Sequence, residues 1–321
     1  MAVNLGADTV TAISRRYIIP RIVDNVYKSN PLFFRWWRSN KVNQQGGVNI
    51  QQPLMYKRMN GGGWYRGYQL LTIAPSTTIQ NATFTWKQAY QAVTVDGLTL
   101  LRADSPLAIA DYLAAMFKQA EMQMADTLGE GLWSAGTTLN KVTGSVLAVD
   151  NGTIASAYGG IAHATNSWWN AQIDSTTTTL TLKAMQALFG KAQAGGRAPT
   201  IAFCTQTNYN RYWALNYTFQ QFPVQPQGKT MQLAQAGFEN LLFNGMPILV
   251  DSHIPTTGTT GNFYYFNEDY ITLIVATRAQ FKVEDFQTPV NQDAMTSKLL
   301  WAGNLVFSNI QRQAKFTALV A

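Results

Sequence analysis

Asp251, Ser252 and His253 bring together the three side-chain types of a nucleophilic relay, in which a carboxylate orients an imidazole that deprotonates a hydroxyl. Consecutive residues on a strand point to alternating faces, so these three do not form a relay among themselves. The other histidine is His163, and the chain contains neither HExxH nor paired CxxC, which leaves zinc almost without ligands. Gly228-Lys229-Thr230 ends like a phosphate-binding loop. Pro223 stands where that loop needs its first glycine, and an Asn/Gln-rich stretch precedes it in place of a strand, so the cradle of backbone N–H groups is not formed. No GxSxG elbow is present, and five glutamates in the whole chain limit carboxylate pairs. No catalytic, cofactor-binding or metal-binding residue is assigned, and the chain is read as not an enzyme.

Composition points instead to contact. Charged residues are 13% of the 321, about half of the usual ~25%. The 25 Gln and 22 Asn outnumber the 24 basic and 17 acidic side chains, and there are 34 Thr. Aromatics at 12% argue against disorder. The uncharged stretches, such as Gly67 to Trp86, are rich in Thr, Asn and Gln and lack the ~20 apolar residues of a membrane span. The start of the chain reads as lacking a secretory signal, which makes the sequons at Asn81, Asn151 and Asn216 chance matches. A single cysteine, Cys204, suits a reducing compartment. The net charge of +7 is localised. Residues 1–70 hold ten basic and two acidic side chains, a balance of +8, which leaves the other 251 residues at −1. Low charge with 9 Trp, 14 Tyr, 16 Phe and 10 Met is the composition of a surface made to be covered.

The elements follow from punctuation and period. The N-terminal segment reads as broken amphipathic helix: Thr9 to Ile18, a piece after Pro20, and a third opened by Asn30-Pro31 that carries Phe33, Phe34, Trp36 and Trp37. This aromatic cluster suits either a core or an intersubunit anchor. Strand-like runs at Val48 to Tyr56, Trp64 to Ile73 and Ala82 to Val95 flank Asn60-Gly61-Gly62-Gly63 and predict a long hairpin. Ser105 and Pro106 open a helix over Leu107 to Leu128, ended by Gly129 and Gly131. A Ser/Thr loop over Ser175 to Thr181 leads into a helix over Leu182 to Gln193. A buried strand at Thr200 to Cys204, a short helix at Asn208 to Leu215, and strand–turn–strand over Leu241 to Ile254 around Asn244-Gly245 come next. Strands are expected at Phe263 to Phe266 and Thr272 to Ala276. Long ones follow at Gln280 to Gln287 and at Lys298 to Leu319, the last broken at Gly303.

This order resembles the major capsid proteins of tailed double-stranded DNA bacteriophages, the Hong Kong 97 fold. Local wording is similar too: Leu128-Gly129-Glu130-Gly131-Leu132-Trp133 after the helix, Phe243-Asn244-Gly245-Met246-Pro247-Ile248-Leu249-Val250-Asp251 with Pro255, and Trp301-Ala302-Gly303-Asn304-Leu305-Val306-Phe307 near the end. The resemblance implies an α+β fold. Its parts would be a basic helical arm (1–45), an extended-loop β-hairpin (46–98), a peripheral domain with a long spine helix (99–144), an axial domain (145–276) and return strands of the peripheral domain (277–321). It implies self-assembly as hexamers and pentamers into an icosahedral head around DNA. The location is then the virion, after synthesis in the bacterial host cytoplasm. No scaffolding segment is read as fused to the arm, so a separate scaffolding protein or none is expected, with a portal, an optional decoration protein and no membrane. Some family members crosslink a Lys to an Asn of a neighbour. Lys57 and Lys87 lie in the hairpin, but no partner stands out, so no crosslink is assigned.

In that family the hairpin lies over a neighbouring subunit, which makes Tyr56, Arg58, Trp64, Tyr65, Arg66, Tyr68, Phe84 and Trp86 the expected intersubunit contacts. Arg15, Arg16, Arg21, Arg35, Arg38 and Lys41 of the basic arm are expected to meet a neighbour or an acidic scaffold in preference to non-specific DNA phosphates, because Trp and Phe are interleaved with them. The competing readings are another virion part, such as a tail-tube or cement protein, and a basic cytosolic nucleic-acid-binding protein.

Overall fold

The computed structural model describes residues 30–44, 46–71, 73, 75–102, 106–136, 140–193, 195–217, 241–256 and 260–320. The helical pieces expected before Asn30, the Ser105 cap and the loop with Pro223 fall outside these residues. Helix α1 (Pro31–Ser39) begins as its sequence dictates: Asn30 accepts a hydrogen bond from the Phe33 N–H at 3.2 Å, and Pro31 occupies the first turn. Leu32, Phe33, Trp36 and Trp37 are buried. Trp36 meets Phe266 at 5.5 Å and Phe307 at 6.1 Å, so Phe33, Trp36 and Trp37 are core of their own chain, while Phe34 is exposed.

Two sheets share that core. The first joins β1 (Lys41–Gln44), β4 (Lys87–Asp96), β12 (Ile271–Ala276), β13 (Lys282–Val283) and β14 (Ala294–Phe307). In it β4 pairs antiparallel with β14 from Asp96↔Ala294 to Lys87↔Gly303. The second sheet runs in the order β7 (Gln172–Asp174), β15 (Ala314–Val320), β11 (Thr260–Phe266), β8 (Ile201–Cys204), β10 (Met246–Val250), β9 (Leu242–Phe243). Asn244 and Gly245 between β9 and β10 both have positive φ, the geometry of the two-residue turn that Asn-Gly favours. The sheets do not divide at residue 276. β12, expected in the axial domain, pairs with β14 in the first sheet, and β15, expected among the peripheral return strands, lies in the second. The chain crosses between sheets at residues 308–313, which is where the strand expected over Lys298 to Leu319 breaks. Gly303 does not break it, because a Cβ there would lie 2.5 Å from the Ile274 carbonyl oxygen and 2.8 Å from the Trp301 ring. The glycine admits a close neighbour inside an intact strand. The strand expected over Gln280 to Gln287 shrinks to β13.

The spine helix runs over Pro106–Leu132, 27 residues and roughly 40 Å. Leu113, Phe117, Ala120, Met124, Leu128 and Leu132 recur every three or four residues and are buried. The helix passes through Gly129 and ends one residue after Gly131. A Cβ on Gly129 would sit 2.6 Å from the His253 ring, so this glycine is a contact point and not a stop signal. The later helices, Leu182–Gln193 and Gln206–Tyr217, pack on the second sheet, the latter longer than expected at both ends. Before the first of them, Asp174 accepts bonds from the N–H and hydroxyl groups of Thr176 and Thr177. Burial opposes its ionisation, yet these four bonds outweigh it and hold the carboxyl at about 2.

Candidate intersubunit surfaces

The hairpin is built differently from its sequence reading. Its paired part is short: β2 (Ile50–Met55) against β3 (Ile79–Phe84), antiparallel, from Ile50↔Phe84 to Met55↔Ile79. The described residues of the expected strand Trp64 to Ile73 form no strand. The expected strand Ala82 to Val95 breaks at Thr85 and Trp86, and its halves join different sheets. Asn304 holds this break. Its Nδ2 donates to the Thr85 carbonyl at 2.9 Å and to the Thr143 hydroxyl at 3.0 Å, and its Oδ1 accepts from the N–H groups of Thr143 and Leu305, both at 2.9 Å. All four hydrogen-bonding positions of a buried amide are used.

The root of the hairpin is clamped by its own subunit. Ile50, Leu54, Ala82 and Phe84 are buried. Phe84 meets Tyr158 at 5.1 Å, and Tyr56 stacks on Trp168 at 5.6 Å while its hydroxyl donates to the Thr77 carbonyl. The Trp86 indole N–H donates to the Gly47 carbonyl at 2.9 Å. Gly159 closes the clamp. Its carbonyl accepts from the Thr83 N–H at 2.9 Å, its φ is +59°, and a Cβ there would lie 2.8 Å from Phe84. The clamp residues Tyr158, Gly159, Trp168 and Trp169 were not singled out from sequence, although a Gly-Gly pair and a Trp pair within ten residues of each other mark a tight aromatic turn.

Beyond Tyr56 the picture reverses. Residues 57–71 are all exposed, Trp64, Tyr65, Tyr68, Leu70 and Leu71 among them, and so is Ile73. Of the eight expected contacts, Tyr56, Phe84 and Trp86 therefore serve their own chain, whereas Arg58, Trp64, Tyr65, Arg66 and Tyr68 stand together on the tip.

The basic arm divides similarly. Arg15, Arg16 and Arg21 lie outside the described residues. Arg35 is engaged in its own chain by two parallel bonds to Glu268, Nε to Oε1 at 2.7 Å and Nη2 to Oε2 at 2.9 Å. This hydrogen bonding raises its pKa against the opposing effect of burial. The Lys41 ammonium lies 4.1 Å from the Trp37 ring centre. Arg38 is exposed on α1. These three side chains border an open cleft of about 1000 Å³ whose other walls include Phe34, Val42 and Asp269.

The histidines are held locally. His163 Nδ1 lies 2.9 Å from Asn170 Oδ1. His253 sits between Asp251 at 3.2 Å and Asp126 of the spine helix at 3.0 Å. Asp251 and His253 touch just past the end of β10 at Val250, and the three residues still form no relay. Ser252 is exposed. The imidazole ties the helix to that turn. No group of three or more His, Cys, Asp or Glu among the described residues could hold a metal ion, and no described helix is long and apolar enough to cross a membrane.

No family model matches the chain, and no curated protein matches its sequence. Solved structures do match. The capsid asymmetric unit of cyanophage A-1(L) superposes with a TM-score of 0.64 at 15% identity, covering 92% of this chain and 94% of that one. The capsid of a native GTA particle gives 0.62 at 15% identity, covering 90% of each chain. The SrpI encapsulin of Synechococcus elongatus gives 0.58 at 8% identity, over 95% of this chain and 89% of that one. At such identities the likeness is one of fold. The chain has the α+β capsid fold that its order of elements led us to expect.

Proposed function

We propose that the protein is a major capsid protein, which self-assembles as hexamers and pentamers into the icosahedral head of a tailed phage around double-stranded DNA. The observation that carries this reading is the tip: an aromatic and basic surface, held out by a clamped root, on a chain with a capsid fold. Its role is mechanical, with many moderate contacts repeated around a closed shell and made strong by multivalency. Arg58, Trp64, Tyr65, Arg66 and Tyr68 lie on the neighbouring subunit. Arg38 and Lys41, with Arg15, Arg16 and Arg21, meet a neighbour or an acidic scaffold. Phe33, Trp36 and Trp37 no longer argue for this, since they pack in their own core. Steering by charge does. A separate scaffolding protein, a portal and a decoration protein complete the particle, which is made in the host cytoplasm.

Electron microscopy of the expressed full chain, alone and with its scaffold, is the test. Closed shells or hexameric sheets support the proposal. A stable monomer under both conditions overturns it, tubes would favour a tail-tube protein, and a discrete dimer retained on DNA at low salt would favour a nucleic-acid-binding protein.

A further inference from the structure

Three Asn-Gly pairs occur in the chain, Asn60-Gly61, Asn151-Gly152 and Asn244-Gly245. The pair has a chemistry of its own: a residue without a Cβ leaves its backbone nitrogen open to the side-chain carbonyl carbon of the Asn before it. All three Asn are exposed, so exposure does not tell them apart. Their restraints do. Ring closure needs the nitrogen and that carbon ~3–3.5 Å apart and aligned for attack. At Asn244-Gly245 the turn between β9 and β10 sets both residues at positive φ, 48° and 79°, and Asn244 Nδ2 donates to Gln186 Oε1 at 2.7 Å. Pairing of Phe243 with Met246 holds that turn from both sides. At Asn151-Gly152 the Gly152 N–H, the group that would attack, donates to the buried Asp150 carboxylate at 3.1 Å, and Asn151 Oδ1 accepts from the Thr153 hydroxyl at 2.7 Å. Asn60-Gly61 differs. Among the described residues no hydrogen bond restrains the Asn60 side chain or the Gly61 N–H, and the pair lies outside every helix and strand. Gly62 and Gly63 follow, with nothing within 4 Å of where a Cβ would stand on either.

We infer that Asn60-Gly61 is a self-modifying site, at which the folded chain converts Asn60 to aspartate and isoaspartate ahead of its other Asn-Gly pairs. The Gly61 amide nitrogen gives its proton to hydroxide and attacks Asn60 Cγ. The bond from Cγ to Nδ2 breaks, and the side-chain nitrogen takes up a proton and leaves as ammonia. Water then opens the five-membered imide at either carbonyl. The sum is one water consumed and one ammonia released, with no oxidant, reductant or second protein. The consequence is electrostatic. Lys57, Arg58 and Arg66 share the tip, and no acid stands between residues 56 and 78. Conversion places the first negative charge in that stretch and takes its balance from +3 to +2. Isoaspartate also lengthens the backbone by one methylene between the two sides of the hairpin. Steering of the tip toward acidic surfaces weakens as a subunit ages, a consequence that rests on the proposed role of the tip, whereas the conversion itself does not.

The test is peptide mass mapping of the full chain held at neutral and at alkaline pH, folded and in urea. In the folded chain Asn60 gains the mass of deamidation on the order of tenfold faster than Asn151 or Asn244. The rate rises at alkaline pH, where more of the attacking nitrogen is deprotonated. In urea the three sites convert at comparable rates, which assigns the selection to the structure. Asn60→Gln removes the leading acidic species seen on ion exchange, and Gly61→Val delays it, each with an unchanged melting temperature. Equal rates at the three sites of the folded chain, a lead at Asn151 or Asn244, or a Gly61→Val chain that converts as fast as wild type overturns the inference. Assembled shells give a separate reading. Slower conversion there than in the free subunit supports a covered tip, whereas the same rate in both leaves the site standing and counts against the tip contact.

Discussion

The root and the tip of the hairpin are made of similar residues and do opposite things. Tyr56, Phe84 and Trp86 at the root are packed or hydrogen-bonded within the subunit, while Trp64, Tyr65 and Tyr68 a few residues away are exposed. What separates them is the presence of a wall. The root has the turn of Tyr158, Gly159, Trp168 and Trp169 to lie on, and the tip has none among the described residues. An aromatic residue near a glycine-rich turn therefore marks an interface only where the fold provides no internal partner.

The comparison breaks most sharply at Phe84. Phe84→Ala removes a buried ring from the clamp and should cost roughly 3–5 kcal/mol, measured by urea denaturation. A loss below ~1 kcal/mol would mean that the root is not part of the core. Next comes the contrast between buried and exposed cations. Lys315 on β15 is buried, and burial pushes its ammonium down to about 8, with Asp150 opposing that shift. The ordinary value is 10.5, so between about 8 and 10.5 the unfolded chain holds a proton that the folded chain has released. Stability should rise as pH climbs through that window, and Lys315→Met should flatten the rise, whereas Arg58→Glu at the tip should leave the pH profile unchanged. Gly159→Ala sharpens the comparison further. Its positive φ and the nearness of Phe84 predict a cost of ~1–3 kcal/mol, together with faster proteolysis of residues 56–78 as the root loosens. The smallest effect on the monomer belongs to the tip itself. Trp64→Ala with Tyr65→Ala should change its stability by less than ~0.5 kcal/mol and yet abolish assembly. Intact shells from this variant would place the subunit contact elsewhere.

Local order was the legible part. The Asn30-Pro31 helix start, the spine period from Leu113 to Leu128 and the Asn244-Gly245 turn are written in residues close together, where capping, helical period and left-handed backbone act over a few positions. The glycines misled because one residue type answers two demands. Gly129 and Gly303 look like breaks, but they admit the His253 ring and the Ile274 carbonyl, neighbours 124 and 29 positions away along the chain.

The sequence alone determined that the chain is weakly charged, aromatic and basic at one end, and that its elements follow the order of a capsid fold. Only the tertiary structure decided which aromatics are core and which are surface, which strand joins which sheet, and that Arg35 is engaged with Glu268. The reason is physical. Composition and period set what each segment tends to form, whereas burial depends on whether another segment, distant in sequence, arrives to cover it.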